Sequence, residues 1–331
     1  MSLKEDINFS LWCDFIERDF LENKFQDIIK DEIIHGATSN PAIFESSISN
    51  SVAYAQQLQM LQANEPKTIY EELAISDIKR AAEILSDLYI EDTNDGFISI
   101  EVDPALCDDV EGTIEEGIRL NSAIGADNVM IKVPATEAGF VAMKELTSQG
   151  IHVNATLIFS PLQALKCAKA LNEGIKASNK DIKAVVSVFV SRFDRMCDSE
   201  FLSKGLSTGK LGIVNATKCY HEVEKLGNKN IRTLFASTGV KGDDLPGSYY
   251  VDALIFPNSV NTAPLATIED WIEDGKKEES PIMSENECDK YFDSLLSHKI
   301  DMNRVYNKLL SDGLESFKES FKELLSKLQK D

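Results

Sequence analysis

One lysine stands inside an otherwise apolar run. In VMIKVPAT, residues 129–136, Val129, Ile131 and Val133 alternate with Met130 and Lys132, the pattern of a strand buried on both faces. Pro134 ends the ladder, and Thr136 with Glu137 reads as the cap and first turn of a helix. Lys132 therefore sits near the C-terminal end of a buried strand, where an uncompensated charge is costly. Its amine either snorkels to solvent or neutralises a buried carboxylate, or it is a nucleophile that forms a Schiff base with a carbonyl. An ordinary lysine is only about 0.04% neutral at pH 7, so the second reading depends on a site that excludes water.

Other apolar runs carry polar residues near the same end. Asp14 follows LWC, Asn40 follows GATS, Glu101 follows ISI, Asn154 and Thr156 interrupt HVNATLIF, and Ser187 sits in VVSVFV. Strands covered on both faces should read as nearly unbroken apolar runs. One polar exception fits a buried pair, whereas six near one end fit a site. Alternation puts Met130 with Lys132, Asn154 with Thr156 and Trp12 with Asp14 on shared faces. A lysine among carboxylates suits attack on a ketone, with proton shuttling through carbinolamine, Schiff base and enamine. No competing chemistry is evident. His35, His152, His221 and His298 form no metal-ligand pattern, and there is no glycine-rich nucleotide loop. His152, beside Asn154, reads as a hydrogen-bonded core histidine.

The elements that must hold these residues number eight strands, expected at Leu11–Phe15, Ile33–Ala37, Phe97–Val102, Val129–Val133, Ile151–Ile158, Ala184–Val190, Arg232–Ser237 and Tyr250–Phe256. Helical patterns lie between them. Ala138, Val141, Ala142 and Leu146 form one stripe, another helix runs from Pro161 towards Gly174, and a third spans Gly112–Ile124. This order is that of a (β/α)₈ TIM barrel. The segment Ser46–Leu88 exceeds one crossover and should hold two or three extra helices after strand 2. No strand is expected beyond Phe256. There, Leu310, Leu314, Phe317, Phe321, Leu324 and Leu328 form a stripe on a terminal helix or helix pair, interrupted at Gly313 and packed on the barrel's outside. With no repeat or linker, residues 1–331 read as one domain.

Composition narrows the partners. The 331 residues are 43% hydrophobic, enough for a large core. Thirty-four basic against 55 acidic residues leave a net charge of −21, a poor surface for nucleic acid or anionic membrane. Any phosphate must then be held by local cations. The six scattered cysteines contain no CxxC, which fits reduced thiols in a cytoplasmic protein. MSLKEDINFS lacks a signal peptide's apolar core, and no run approaches a membrane span. A homodimer is compatible with the sequence.

Two stretches carry a family resemblance. GATSNPAIF (Gly36–Phe44) and VMIKVPATEAGFVAMKEL (Val129–Leu146) resemble the two transaldolase signatures, and the similarity continues through LWCDF, ISIEVDP, HVNATLIFS, VSVFVSR, ASTG and YVDALIFPNSVNTAP. Eight motifs in order, on the expected strands, are highly specific. The resemblance implies transfer of a dihydroxyacetone unit between sugar phosphates without metal or organic cofactor. In the non-oxidative pentose phosphate pathway, sedoheptulose 7-phosphate and glyceraldehyde 3-phosphate give erythrose 4-phosphate and fructose 6-phosphate. It further implies that Lys132 is the Schiff-base nucleophile and that Asp14 is the acid/base of carbon–carbon cleavage. Glu101 and Thr156 would move protons through a bound water. Asn40, Asn154 and Ser187 would bind substrate, Arg192 its phosphate, and Ser237 belongs to the same ASTG motif. Where family members often have an arginine shortly after the Ala-Ser of strand seven, this chain has Ser237-Thr238-Gly239-Val240-Lys241. Lys241 is therefore the candidate second phosphate cation. Phe256 stands where a small residue is expected.

Two alternatives stay open at this level. One is an aldolase of the same superfamily, such as a fructose 6-phosphate aldolase, which releases the three-carbon ketone to water. The other is a non-catalytic barrel that binds sugar phosphates; it would have no need to retain Asp14, Glu101 and Lys132 together.

Overall fold

In the computed structural model, which describes residues 3–242 and 244–329, eight parallel strands pair in sequence order and the eighth closes on the first. They are β1 (Ser10–Cys13), β2 (Gly36–Thr38), β3 (Phe97–Glu101), β4 (Val129–Pro134), β5 (His152–Ile158), β6 (Ala184–Phe189), β7 (Ile231–Ala236) and β8 (Ser259–Ala263). Helices follow the strands around the outside, giving the expected (β/α)₈ barrel. The register matters most across three neighbours, where Glu101 lies opposite Lys132 and Lys132 opposite Asn154. One layer of the interior is filled by Trp12, Phe97, Met130, Val185 and Leu234. Gly36 belongs in β2 because a Cβ there would fall 2.7 Å from the Trp12 ring.

Beneath this layer Arg232 plugs the barrel floor. Its guanidinium donates to the carbonyls of Asn8 (2.9 Å), Asn94 (3.0 Å) and Ser259 (2.7 Å), to Ser10 Oγ (2.7 Å) and to Asp95 Oδ1 (3.2 Å). Asp95 also accepts from Ser10 Oγ at 2.7 Å. Such a buried pair is tolerable because nearly every donor and acceptor is satisfied.

The last strand departs from expectation. Tyr250–Phe256 is not β8: Tyr249–Ala253 forms a short helix, a turn follows, and β8 is the polar SVNTA of Ser259–Ala263. Tyr250, Val251, Leu254 and Ile255 are buried with helix-like spacing. Phe256 is buried edge-on against Phe235 and Tyr220. β2 begins at Gly36, later than the expected Ile33. Val141, expected on a buried stripe, is exposed, and Met143 takes the inward place beside Ala142 and Leu146.

The extra helices after β2 are present, chiefly Pro41–Asn50 and Pro66–Ile84. At the C-terminus a single helix, Met302–Leu328, runs straight through Gly313. Gly313 marks a close approach, since a Cβ there would lie 3.0 Å from Leu157 Cδ2 and 3.4 Å from Phe159. The helix is thus more than an outer cover: it reaches the C-terminal end of β5, and its Phe317 faces the cavity described below. Among the described residues no helix is long and apolar enough to cross a membrane.

Candidate active site

The C-terminal ends of the strands enclose a cavity of about 370 Å³, within the range of small-molecule sites. Asp14, Asn40, Lys132, Asn154, Thr156, Ser187, Arg192, Ser237 and Lys241 all line it. Glu101, the remaining expected residue, is placed beside Lys132 and does not line the cavity.

Lys132 is 6% exposed. Its Nζ donates to the Ser39 carbonyl at 2.9 Å and stands 3.7 Å from Glu101 Oε2. That oxygen has no hydrogen-bond partner, and neither does the buried Thr156 hydroxyl. Burial pushes the Glu101 carboxyl up to about 7, with the Lys132 charge opposing and the Asp14 charge adding to the rise. A carboxyl near neutrality beside an amine can both give and take a proton.

Asp14 comes just after β1, where its amide donates to the Ala263 carbonyl at 2.8 Å. Thr38 Oγ1 lies 2.6 Å from Asp14 Oδ1 and 2.7 Å from Thr262 Oγ1. Desolvation raises the Asp14 pKa against the lowering effects of Lys132 and Thr38. The two carboxyls act on Lys132 from unlike settings, one bonded by the Thr38 hydroxyl and one held beside the amine.

Ser187 Oγ donates to Asn154 Oδ1 at 2.6 Å, and Asn154 Nδ2 donates to Ser99 Oγ at 3.3 Å. This row fixes the Asn154 amide. In β5 beyond it, Leu157 takes a left-handed φ of 58° and the register to β6 shifts between Ala155 and Ile158, a bulge of the kind that re-aims side chains beside sites. Asn40 caps Pro41–Asn50 by accepting from the Ile43 amide at 3.0 Å, which leaves its amide nitrogen for a ligand. His152 is a core histidine, accepting from the Lys183 amide at 2.9 Å and packing against Phe97.

At the rim, helix Ser191–Ser203 starts directly after β6. It sets the half-buried Arg192 over the Phe189 ring, 4.9 Å from its centroid. Ser237, at φ 55°, receives the Ser191 amide on its carbonyl at 3.0 Å. Lys241 lines the cavity from an exposed position after β7. The sequence reading missed Thr38, Ser99, Thr262, Arg195 and Phe317. Thr38, Ser99 and Thr262 lie inside the motifs above and Phe317 in the terminal-helix stripe, while Arg195 gave no local signal.

Residues 11–328 match the family model described as transaldolase/fructose-6-phosphate aldolase. The chain belongs to this family. A Campylobacter jejuni subsp. doylei protein named transaldolase is 46% identical over 332 residues, covering 97% of this chain and 99% of its own. A Helicobacter pylori protein of the same name is 45% identical over 318 residues, covering 96% and 98%. The transaldolase/fructose-6-phosphate aldolase match spans every strand except the first residue of β1, so all the cavity-lining residues lie inside it.

Proposed function

We propose that the chain is a transaldolase that moves a dihydroxyacetone unit from a ketose phosphate to an aldose phosphate through a Schiff base on Lys132. The observation that carries this reading is the buried amine, 3.7 Å from a carboxyl poised near 7, at a cavity rimmed by cations. Lys132 Nζ attacks the ketone carbon of fructose 6-phosphate or sedoheptulose 7-phosphate. Glu101 protonates the carbinolamine hydroxyl, which leaves as water, and Thr156 orders that water beside it. Asp14 then takes the proton of the hydroxyl next to the bond being cleaved. The carbon–carbon electron pair moves into an enamine and an aldose phosphate departs. The acceptor, glyceraldehyde 3-phosphate or erythrose 4-phosphate, enters and the steps reverse. Asn40, Asn154 and Ser187 hold sugar hydroxyls, while Arg192, Ser237 and Lys241 meet the phosphate. Six free, buried cysteines support a reducing, cytoplasmic setting.

The family name covers two activities. Relatives that match over nearly their whole length and are named transaldolase support transfer over release to water. Borohydride added with fructose 6-phosphate should trap a three-carbon adduct on Lys132, and Lys132→Ala should lose it. An adduct on another lysine overturns the assignment. Products formed with and without erythrose 4-phosphate separate the two activities: dihydroxyacetone released at a comparable rate without acceptor identifies an aldolase.

A further inference from the structure

The rim of the cavity holds a cation with no role so far. Arg192 and Arg195 are three residues apart in helix Ser191–Ser203, a spacing that puts them on one face, and both line the cavity. We propose that Arg195 is a phosphate-binding residue of the active site, forming with Arg192 a two-arginine clamp for the terminal phosphate of donor and acceptor. The proposal rests on the transaldolase reading above.

Three observations support it. Among the described residues neither arginine has a hydrogen-bond or ion-pair partner, whereas Arg18, Arg80, Arg119 and Arg232 each meet a carboxylate. Among the described residues the Arg304 guanidinium is also without such a partner, so what sets Arg192 and the exposed Arg195 apart is that both line the cavity. The neighbouring carboxylates are also committed elsewhere. Asp194 accepts from the Gly212 amide at 3.1 Å and from the Tyr250 hydroxyl at 2.9 Å, and Asp198 accepts from the Gly209 amide at 3.0 Å. Asp312, the acid that acts on Arg192, is bound by Lys308. Finally, the two guanidinium groups act on each other unfavourably: burial first, then the charge of Arg195, lowers the Arg192 pKa. A dianion between them relieves that repulsion.

Local geometry suits such an anion. The helix begins at the cavity, since its first residue, Ser191, also lines it. Arg195 also lines the adjoining cleft, with Asp198, Thr208 and Tyr250. It therefore stands where the two cavities adjoin. A second planar fork binds two phosphate oxygens, which a lysine cannot do.

The test compares wild type, Arg195→Ala and Arg195→Lys with fructose 6-phosphate and erythrose 4-phosphate. Arg195→Ala should raise both KM values about tenfold, the scale of one charge-assisted contact, with a smaller change in kcat. Arg195→Lys should restore part of the loss. Inhibition by inorganic phosphate should weaken in parallel, and slow turnover of unphosphorylated fructose should be unaffected. Unaltered KM values, or an equal loss on fructose and fructose 6-phosphate, overturn the clamp. If wild type transfers no three-carbon unit, the transaldolase reading fails separately. Calorimetric binding of inorganic phosphate then still decides on Arg195, with equal affinity in wild type and Arg195→Ala counting against it.

Discussion

Glu101→Gln should separate the stability cost of the site from its chemistry. Glu101 is 6% exposed, with one carboxylate oxygen unpartnered, and burial lifts its pKa from the ordinary 4.5 to about 7. The unfolded chain therefore loses this proton near 4.5 and the folded chain near 7. Between those values the unfolded state is the more deprotonated, so wild-type stability falls as pH rises, and above about 7 the penalty is constant. The displacement corresponds to on the order of 3 kcal/mol. Glutamine cannot ionise, and any packing cost it adds is independent of pH. The stability of Glu101→Gln relative to wild type should thus rise by up to about 3 kcal/mol between pH 4.5 and 7.5. Urea unfolding of both proteins at half-unit pH steps reads this as diverging midpoints. Parallel curves would refute the reasoning, since they would mean that Glu101 titrates alike in folded and unfolded chains.

The same variant should slow borohydride trapping, because the carboxyl serves the nitrogen centre. Asp14→Ala should instead lower turnover about 10²–10⁴-fold while the donor adduct still forms; equal trapping rates in Asp14→Ala and Glu101→Gln would contradict this division. Gly313→Ala puts a methyl group 3.0 Å from Leu157 Cδ2. Overpacking of about 1–3 kcal/mol then exceeds the roughly 1 kcal/mol that alanine returns in a helix, so a net loss of about 1 kcal/mol in urea unfolding is expected. A Gly313→Ala protein more stable than wild type would show that the approach is not tight.

Strands β3, β4 and β5 were legible because each is an apolar run broken by a few polar residues. The register that sets Glu101 opposite Lys132 and Lys132 opposite Asn154 came from the structure, because alternation fixes faces within a strand and not the pairing between strands. β8 failed for the opposite reason. Its buried Ser259, Asn261 and Thr262 erase the apolar signal, while the apolar run before it is helix and turn, and short runs of that kind look alike from periodicity. Gly313 resembles a helix break, because the Leu157 that requires it is remote in sequence. Arg195 lies in Arg-Phe-Asp-Arg-Met-Cys-Asp, which reads as a solvated helix face; only the turning of Asp194 and Asp198 towards other partners leaves it free. The floor was equally hidden, since Arg232 and Asp95 are 137 residues apart.

The cavity wall draws on residues from Asp14 to Phe317, and its seam joins the first strand to the last. A nascent chain on the ribosome therefore carries β1 with one edge unpaired until residues 259–263 have emerged, and the site has no complete wall before residue 317. At about 5–20 residues per second this delay lasts tens of seconds. During that interval β1 is the strand most open to pairing with another chain. Chaperone demand should accordingly concentrate on the early strands, and the lysine should gain its sheltered setting only once the last helix has docked.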